Sequence, residues 1–501
     1  MKFFALLLFV TIFTSPFGVA QGTIVRGGEH EIALLGGPLA PMWGAKLRNA
    51  DHATVAMNDS GDIAVAYQTT RTDFSPDLKQ VEVAYFQYSS TLDTWTLVEQ
   101  LLLGSVDHSP LVATYPQPDV KCERPDIVAV GDKFFVVWTR RYDRDYNPTG
   151  QTLKPQWKEP AVLECAWLEF NGTSVDDFGP SSPGLGFKLD QNYFIRECAG
   201  VPDAVVLKQP AGGNPTVGIV YPRQVDFSHN PVTLGEDETR IFELTLATCS
   251  IDSSNQVTSQ APTALHAQVP YDGDSGGAAG LVLPDLAPSS EDNAFWVTFE
   301  GQQVVGADLL GAVRLEYWMI NGSTVPEISK SFKTVDSTFS GSAYRRRPMI
   351  SSLPGDTSNE VVSIAFLKVA PSPASDKDIV YEQWQYDSGS SGSFFKAPIP
   401  FGHAFQNTSF DEGKAVPLHG PTSSYLRRCY FNRSGTSASD GIIYYDLNSN
   451  QEVMVKQSVS ASRPAVSFNN PYGIESVALA WEDFLYPFGI NIHKRVVLRV
   501  D

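Results

Sequence analysis

Cysteine is scarce in this chain: Cys122, Cys165, Cys198, Cys249 and Cys429 are the five in 501 positions. They are too few and too scattered for a disulfide scaffold, so the fold must rest on a buried apolar core. No Cys-x-x-Cys or His-x-His pair occurs, which leaves a zinc site without ligands at the usual spacing. Basic residues are also few, 37 Lys and Arg against 56 Asp and Glu for a net charge of -19. A surface of that sign repels phosphate backbones, and no nucleic-acid partner is expected. Beyond the first residues there is no apolar run of the ~20 residues a spanning helix needs. No long stretch shows a helical period either.

The chain opens Met1-Lys2-Phe-Phe-Ala-Leu-Leu-Leu-Phe-Val-Thr-Ile-Phe13 and reaches Gly18-Val19-Ala20 before Gln21. One positive charge, a short apolar stretch and small residues at the exit are the parts of an export signal. Residues 1–20 are therefore expected to be removed, leaving a soluble, secreted or periplasmic domain over 21–501, expected to be a monomer. In that setting disulfides are allowed. Cys122 and Cys198 enter equivalent strands of successive repeats and are the best candidates for a bridge, with five free thiols as the alternative.

What the chain has in plenty is a recurring two-strand phrase: a short apolar run, a turn, and an alternating apolar run that ends on an aromatic. It reads Ala53-Thr-Val-Ala-Met57 with Asp62-Ile-Ala-Val-Ala-Tyr67, then Pro125-Asp-Ile-Val-Ala-Val130 with Lys133-Phe-Phe-Val-Val-Trp138. Near the end it returns as Pro464-Ala-Val-Ser-Phe468 with Ser476-Val-Ala-Leu-Ala-Trp481. Looser copies open at Pro202, Ala279, Pro348 and Lys414, and the closing aromatics Tyr67, Trp138, Tyr221, Phe299, Phe366, Tyr430 and Trp481 lie 51 to 83 positions apart. Each phrase is followed by more period-2 sequence, such as Val81-Glu-Val-Ala-Tyr-Phe-Gln-Tyr88, which is the strand signature. Four strands per unit is the blade of a propeller. The expectation is an all-β propeller of seven blades, with six as the alternative because the copy at Lys414 is the weakest. The amino terminus, at Ile32-Ala-Leu-Leu35 or around Thr23-Ile-Val25, is expected to supply the last fourth strand.

The loops entering each innermost strand of a propeller share one face. They read Asp51-His52, Glu123-Arg124, Arg345-Arg-Arg347, Asp411-Glu-Gly-Lys414 and Ser462-Arg463, and the exits after the aromatics add Arg140, Arg223 and Glu482. Arg124, Arg347 and Arg463 each precede the Pro that opens a strand. A guanidinium fork matches a carboxylate with two parallel hydrogen bonds, so these positions are candidates for an anionic ligand. Arg140, Arg223, Asp51 and Glu482 complete the candidate set. The plain alternative is that the arginines pair with local acids and brace neighbouring blades.

In its export signal, blade pattern and arginine placement the chain resembles the sialidase-like propellers, in which three arginines from different blades hold a substrate carboxylate. It departs from them in having no intact Ser-x-Asp-x-Gly-x-x-Trp box; Ser60-Gly-Asp62 and Ser439-Asp-Gly441 are partial echoes. The resemblance implies binding of an acidic glycan or an extracellular protein, or, as the alternative, a glycoside hydrolase or lyase acting on an acidic sugar. Nineteen tyrosines offer no Tyr/Glu pair that sequence can select, so catalysis stays open.

Two motifs mislead. Gly273-Asp-Ser-Gly-Gly277 copies a serine-protease nucleophile segment but lacks the histidine segment that chemistry needs. Asp272-Gly-Asp-Ser-Gly276 begins like a calcium loop, yet Leu283 stands where the loop needs Glu. No cofactor is expected, a structural calcium there being the one alternative. The long connection from Arg140 to Pro160 is a candidate lid.

Overall fold

In the computed structural model the described residues are 22–32, 49–71, 78–104, 121–141, 161–178, 187–188, 201–228, 239–272, 284–305, 308–321, 327–336, 348–353, 360–369, 377–387, 393–396, 411–419, 427–434, 440–470, 474–485 and 493–501. The export signal at 1–20, the candidate lid at 142–160, Cys198, the 273–283 segment and Arg347 lie outside them. Among the described residues every regular element is a strand, as period-2 patterning predicts, and no helix is long and apolar enough to cross a membrane.

The first strands are β1 (Thr23–Val25), β2 (Glu29–Glu31), β3 (Asn49–Met57), β4 (Ile63–Arg71), β5 (Leu78–Ser89) and β6 (Thr94–Gly104). They are followed by β7 (Lys121–Val130), β8 (Lys133–Arg141), β9 (Ala161–Phe170), β10 (Val175–Phe178) and β11 (Phe187–Lys188). Apart from β2, these form one curled ten-stranded sheet. Four antiparallel strands then make each of five blades. They are β12 (Asp203–Leu207), β13 (Thr216–Ser228), β14 (Thr239–Ile251) and β15 (Val257–Asp272); β16 (Asp285–Pro288), β17 (Ala294–Val305), β18 (Asp308–Asn321) and β19 (Glu327–Asp336). Next come β20 (Met349–Leu353), β21 (Glu360–Val369), β22 (Lys377–Asp387) and β23 (Ser393–Lys396), and then β24 (Asp411–His419), β25 (Arg427–Ser434), β26 (Gly441–Asp446) and β27 (Gln451–Gln457). The last blade joins β28 (Ser462–Asn469), β29 (Ser476–Leu485) and β30 (His493–Val500) to β2.

The architecture corrects the expected blade count. The protein is a five-bladed propeller completed by the ten-stranded sheet, not seven separate four-stranded blades and not six. The first two repeats fuse because the channel end of β5 runs parallel to β7, with Lys79 opposite Lys121. An ion pair of 2.9 Å between Lys79 Nζ and Glu123 Oε2 pins the two strands there. The amino terminus does close the ring, but through Glu29–Glu31 on β30, while Thr23–Val25 pairs with β6. Ion pairs explain the choice: Arg495 bonds Glu31, Lys456 reaches Glu29 at 2.6 Å, and Arg26 reaches Asp93 at 2.8 Å.

Innermost strands β3, β7, β12, β16, β20, β24 and β28 follow one another around the axis, and β28 packs on β3. The core lies between neighbouring sheets, where twist leaves wedge-shaped gaps that large rings fill. All the closing aromatics, Tyr67, Trp138, Tyr221, Phe299, Phe366, Tyr430 and Trp481, are buried there. Truncating one of the tryptophans to Ala costs about 3–5 kcal/mol in such a setting.

Candidate functional site

Four innermost strands break their ladder at the same place: β24 slips between Glu412 and Ala415, and three others do so with a left-handed residue in the bulge. β3 slips register between Asp51 and Thr54, β7 between Glu123 and Asp126, and β28 between Ser462 and Ala465. Each of these three slips inserts one extra residue, a β-bulge, and in each the bulged residue takes a left-handed φ: His52 at 52°, Arg124 at 54° and Arg463 at 52°. A side chain held at positive φ costs about 1–3 kcal/mol and persists only where its surroundings fix it.

Here the fixing groups come from the second strand of the preceding repeat. Glu482, the residue after the closing Trp481, accepts the His52 backbone N–H at 2.8 Å through Oε1. Gln68, the residue after the closing Tyr67, accepts the Arg124 backbone N–H at 3.3 Å. The two supports are equivalent in sequence, and each reaches the innermost strand of the next repeat. Glu482 also faces Arg463 Nη1 at 3.3 Å, and Arg463 Nη1 donates to His52 Nε2 at 3.1 Å. That bond places any single imidazole proton on Nδ1, which lies 3.2 Å from Asp51 Oδ1. Asp51 in turn accepts from Gln68 Nε2 at 2.9 Å. Arg463, His52, Asp51, Glu482, Gln68 and Arg124 thus form one network across three consecutive inner strands.

Deeper along the channel stands a second set of groups. Asp126 Oδ2 accepts the Ala204 N–H at 2.8 Å, Asp203 Oδ2 the Leu286 N–H at 2.6 Å, and Asp285 Oδ2 the Ile350 N–H at 2.6 Å. Each acid therefore ties its own inner strand to the next. Desolvation raises all three carboxyls, Asp126 to about 6, Asp285 to about 7, and Asp203 well above the usual range, where Asp126 and Asp285 push it further. Asp126 and Asp203 influence each other's charge. Lys414 from β24 sits in the field of the three, with burial lowering its pKa and Asp285, Asp126 and Asp203 opposing that shift. The channel therefore carries three carboxyls shifted up towards neutral pH beside a lysine that burial shifts down.

The structure divides the residues expected from sequence. It gathers Arg124, Arg463, Asp51 and Glu482 at the bulges. Arg140 is enclosed instead: its Nε lies 2.7 Å from Glu164 Oε2, which also accepts from Trp138 Nε1 at 3.1 Å, and both side chains are buried. Arg223 is on β13 opposite Glu243 of β14. Cys122 is buried, and Cys198, its expected partner, lies outside the described residues. The partial box at Ser60-Gly-Asp62 is the turn from β3 to β4, where Asp62 accepts from Tyr85 Oη at 2.7 Å and from the Tyr88 N–H at 2.8 Å.

Sequence reasoning did not single out His52, Gln68, Asp126, Asp203, Asp285 or Lys414. A signal for three of them was present: Pro125-Asp126, Pro202-Asp203 and Pro284-Asp285 share one dipeptide. Placing the fourth inner strand at Ala279-Gly-Leu-Val-Leu283, outside the described residues, hid the third copy; the strand described is Asp285–Pro288.

Fold and site together define a β-propeller with a strained, charged channel mouth. No family model and no curated protein matches the chain. Among solved structures it is similar to Trypanosoma rangeli sialidase, at 12% identity and a TM-score of 0.37 over 82% of this chain and 56% of that one. It is also similar to a glycoside hydrolase of family 32 from Bifidobacterium adolescentis, at 10% identity and a TM-score of 0.33 over 91% of this chain and 78% of that one. An α-L-arabinanase from Cellvibrio cellulosa is similar at 8% identity and a TM-score of 0.26, over 69% and 95% of the two chains. The chain spans little more than half the length of the sialidase it matches, 56%.

Proposed function

We propose that this is an exported propeller that binds an acidic glycan, or an acidic face of a protein partner, at its channel mouth. The carrying observation is the set of left-handed bulges that hold His52, Arg124 and Arg463 at one register in three consecutive inner strands. Strain at these positions, held for His52 by Glu482 and for Arg124 by Gln68 of the preceding repeat, suits a preorganised anion site. Arg347 joins this set by its sequence position before Pro348. Lys414 and the raised carboxyls deeper in the channel suit the hydroxyl groups of a sugar, since a protonated carboxyl donates as well as accepts.

One observation favours a second reading, a glycoside hydrolase or lyase acting on an acidic sugar. Asp126 and Asp203 are both raised but to different extents, Asp126 to about 6 and Asp203 well above the usual range, and carboxyls whose environments push their pKa values apart are how glycosidases divide acid and base roles.

Acidic oligosaccharides, sialylated, uronic and sulfated, should be screened for both binding and turnover. Binding that falls roughly 10- to 100-fold in Arg124→Ala and Arg463→Ala, with no product formed, is the expected result. Turnover abolished by Asp126→Asn selects the hydrolase reading. Binding unchanged in both arginine variants removes the proposed site.

A further inference from the structure

Two of the five cysteines face each other across the gap between sheets. Cys165 is on β9 opposite Val137 of β8, and Cys249 is on β14 opposite Val217 of β13. They lie on the third strands of consecutive repeats, Cys165 opposite the residue before the closing Trp138 and Cys249 opposite the residue four before the closing Tyr221. Both are free thiols in this structure, with their sulfurs 3.9 Å apart and both side chains wholly buried, and the rest of their layer is apolar, with Phe135, Trp167, Ile219 and Tyr221 around them. Trp167 Nε1 donates to Cys249 Sγ at 3.4 Å. The hydrogen bond from Cys165 is the main cause that lowers the Cys249 thiol pKa, with Trp167 adding to it, while burial pushes Cys165 up. One sulfur is therefore the better nucleophile and the other its partner. No third His, Cys, Asp or Glu joins them in a metal-sized cluster among the described residues.

We infer that Cys165 and Cys249 are joined by a disulfide that staples the ten-stranded sheet to the adjacent blade. The inference rests on reading residues 1–20 as an export signal, which delivers the chain to an oxidising compartment. The sulfurs need to approach by roughly 2 Å to reach bonding distance. The oxidant is a disulfide of the glutathione or protein oxidoreductase class. A Cys249 thiolate attacks one sulfur of that donor and expels a thiolate, leaving a mixed disulfide on Cys249. The Cys165 thiolate then attacks Cys249 Sγ and expels the second donor thiolate. Two protons pass from the cysteines to the two expelled thiolates, and two electrons reduce the donor. Because the pair is sealed in the folded core, the exchange takes place while the two sheets are still closing. The bond spans 84 positions and crosses an interface with no backbone ladder between its sheets, so it restricts the unfolded chain and locks the fold at once.

The full chain, refolded in a glutathione redox buffer and separately collected from the medium of a secreting host, should be alkylated in denaturant without reduction, digested and weighed. The expected species is a cross-linked peptide pair through Cys165 and Cys249, lighter than the two free peptides by two hydrogens and separated by reductant. Alkylation of both residues in the refolded sample, or linkage of either to Cys122, Cys198 or Cys429, overturns the inference. A reduced protein confined to cells, together with a cross-linked refolded sample, would instead count against export alone. The double variant Cys165→Ser, Cys249→Ser should melt several degrees below the parent without reductant and level with it when reductant is present. An equal deficit in both conditions would assign the loss to packing and also overturn the inference.

Discussion

Asp285 on the channel wall and His419 in the core between neighbouring blades shift their pKa values for the same reason, loss of water, but with opposite consequences for stability. Asp285 is raised from 3.8 to about 7, so the native state binds more protons than the unfolded chain between those values. Its contribution to stability is complete below 3.8 and lost as pH rises through about 7. His419, against Ser363 Oγ and 3.5 Å from Tyr381 Oη, is lowered from 6.5 to about 4 by burial and then by Arg427. Here the unfolded chain binds the extra proton, and stability falls as pH drops from 6.5 towards about 4. Asp285→Asn keeps an acceptor for the Ile350 N–H and should stabilise the protein at pH 8 by on the order of 1–2 kcal/mol, with no gain at pH 3.5. His419→Gln should flatten the fall between pH 6.5 and 4, whose full size is about 3 kcal/mol. Urea melts of the parent and both variants across this range check both signs. A histidine in a strand sequence gives no hint of such a shift. Only the burial that tertiary packing imposes on it decides the direction.

At the scale of the element, the bulge is the unit that turns a strand into a site. Inner strands read as plain alternating runs, and Arg124 before Pro125 marks the entry to one of them. The positive φ does not follow from that text, because it depends on Gln68 of the preceding repeat catching the Arg124 N–H. Glycine takes this conformation freely, whereas alanine pays about 1 kcal/mol or more. Arg124→Gly should therefore be more stable than Arg124→Ala by about that amount in chemical denaturation, while both lose the ligand to the same extent. Equal stabilities for the two variants would show that the residue is not held at positive φ. Arg140 carries the complementary lesson. Its position after the closing Trp138 put it among the exits to the same face, but Glu164 on the third strand, opposite Trp138, captured it inside the sheet.

For the whole molecule, closure depends on a short amino-terminal segment. Glu29–Glu31 completes the last blade on β30 and Thr23–Val25 edges the first sheet on β6, so residues 22–32 tie the two ends of the ring together. Deleting 22–32 while keeping the rest of the mature chain should lower the melting temperature and broaden the transition, because it frees the edges of β30 and β6. Calorimetry of the two forms checks this, and an unchanged sharp transition would remove the closing role. The sequence alone determined the all-β class, the order of repeats and the aromatics that close them, since period-2 alternation and burial preference act within a few residues of chain. Tertiary structure alone decided that the first two repeats fuse into one sheet and that five four-stranded blades complete the ring. It also decided which arginines reach the mouth, that three Pro-Asp acids converge with Lys414, and that Cys165 meets Cys249. These outcomes rest on contacts between residues tens to hundreds of positions apart, such as His52 with Glu482, and closure of the ring is what brings such partners together.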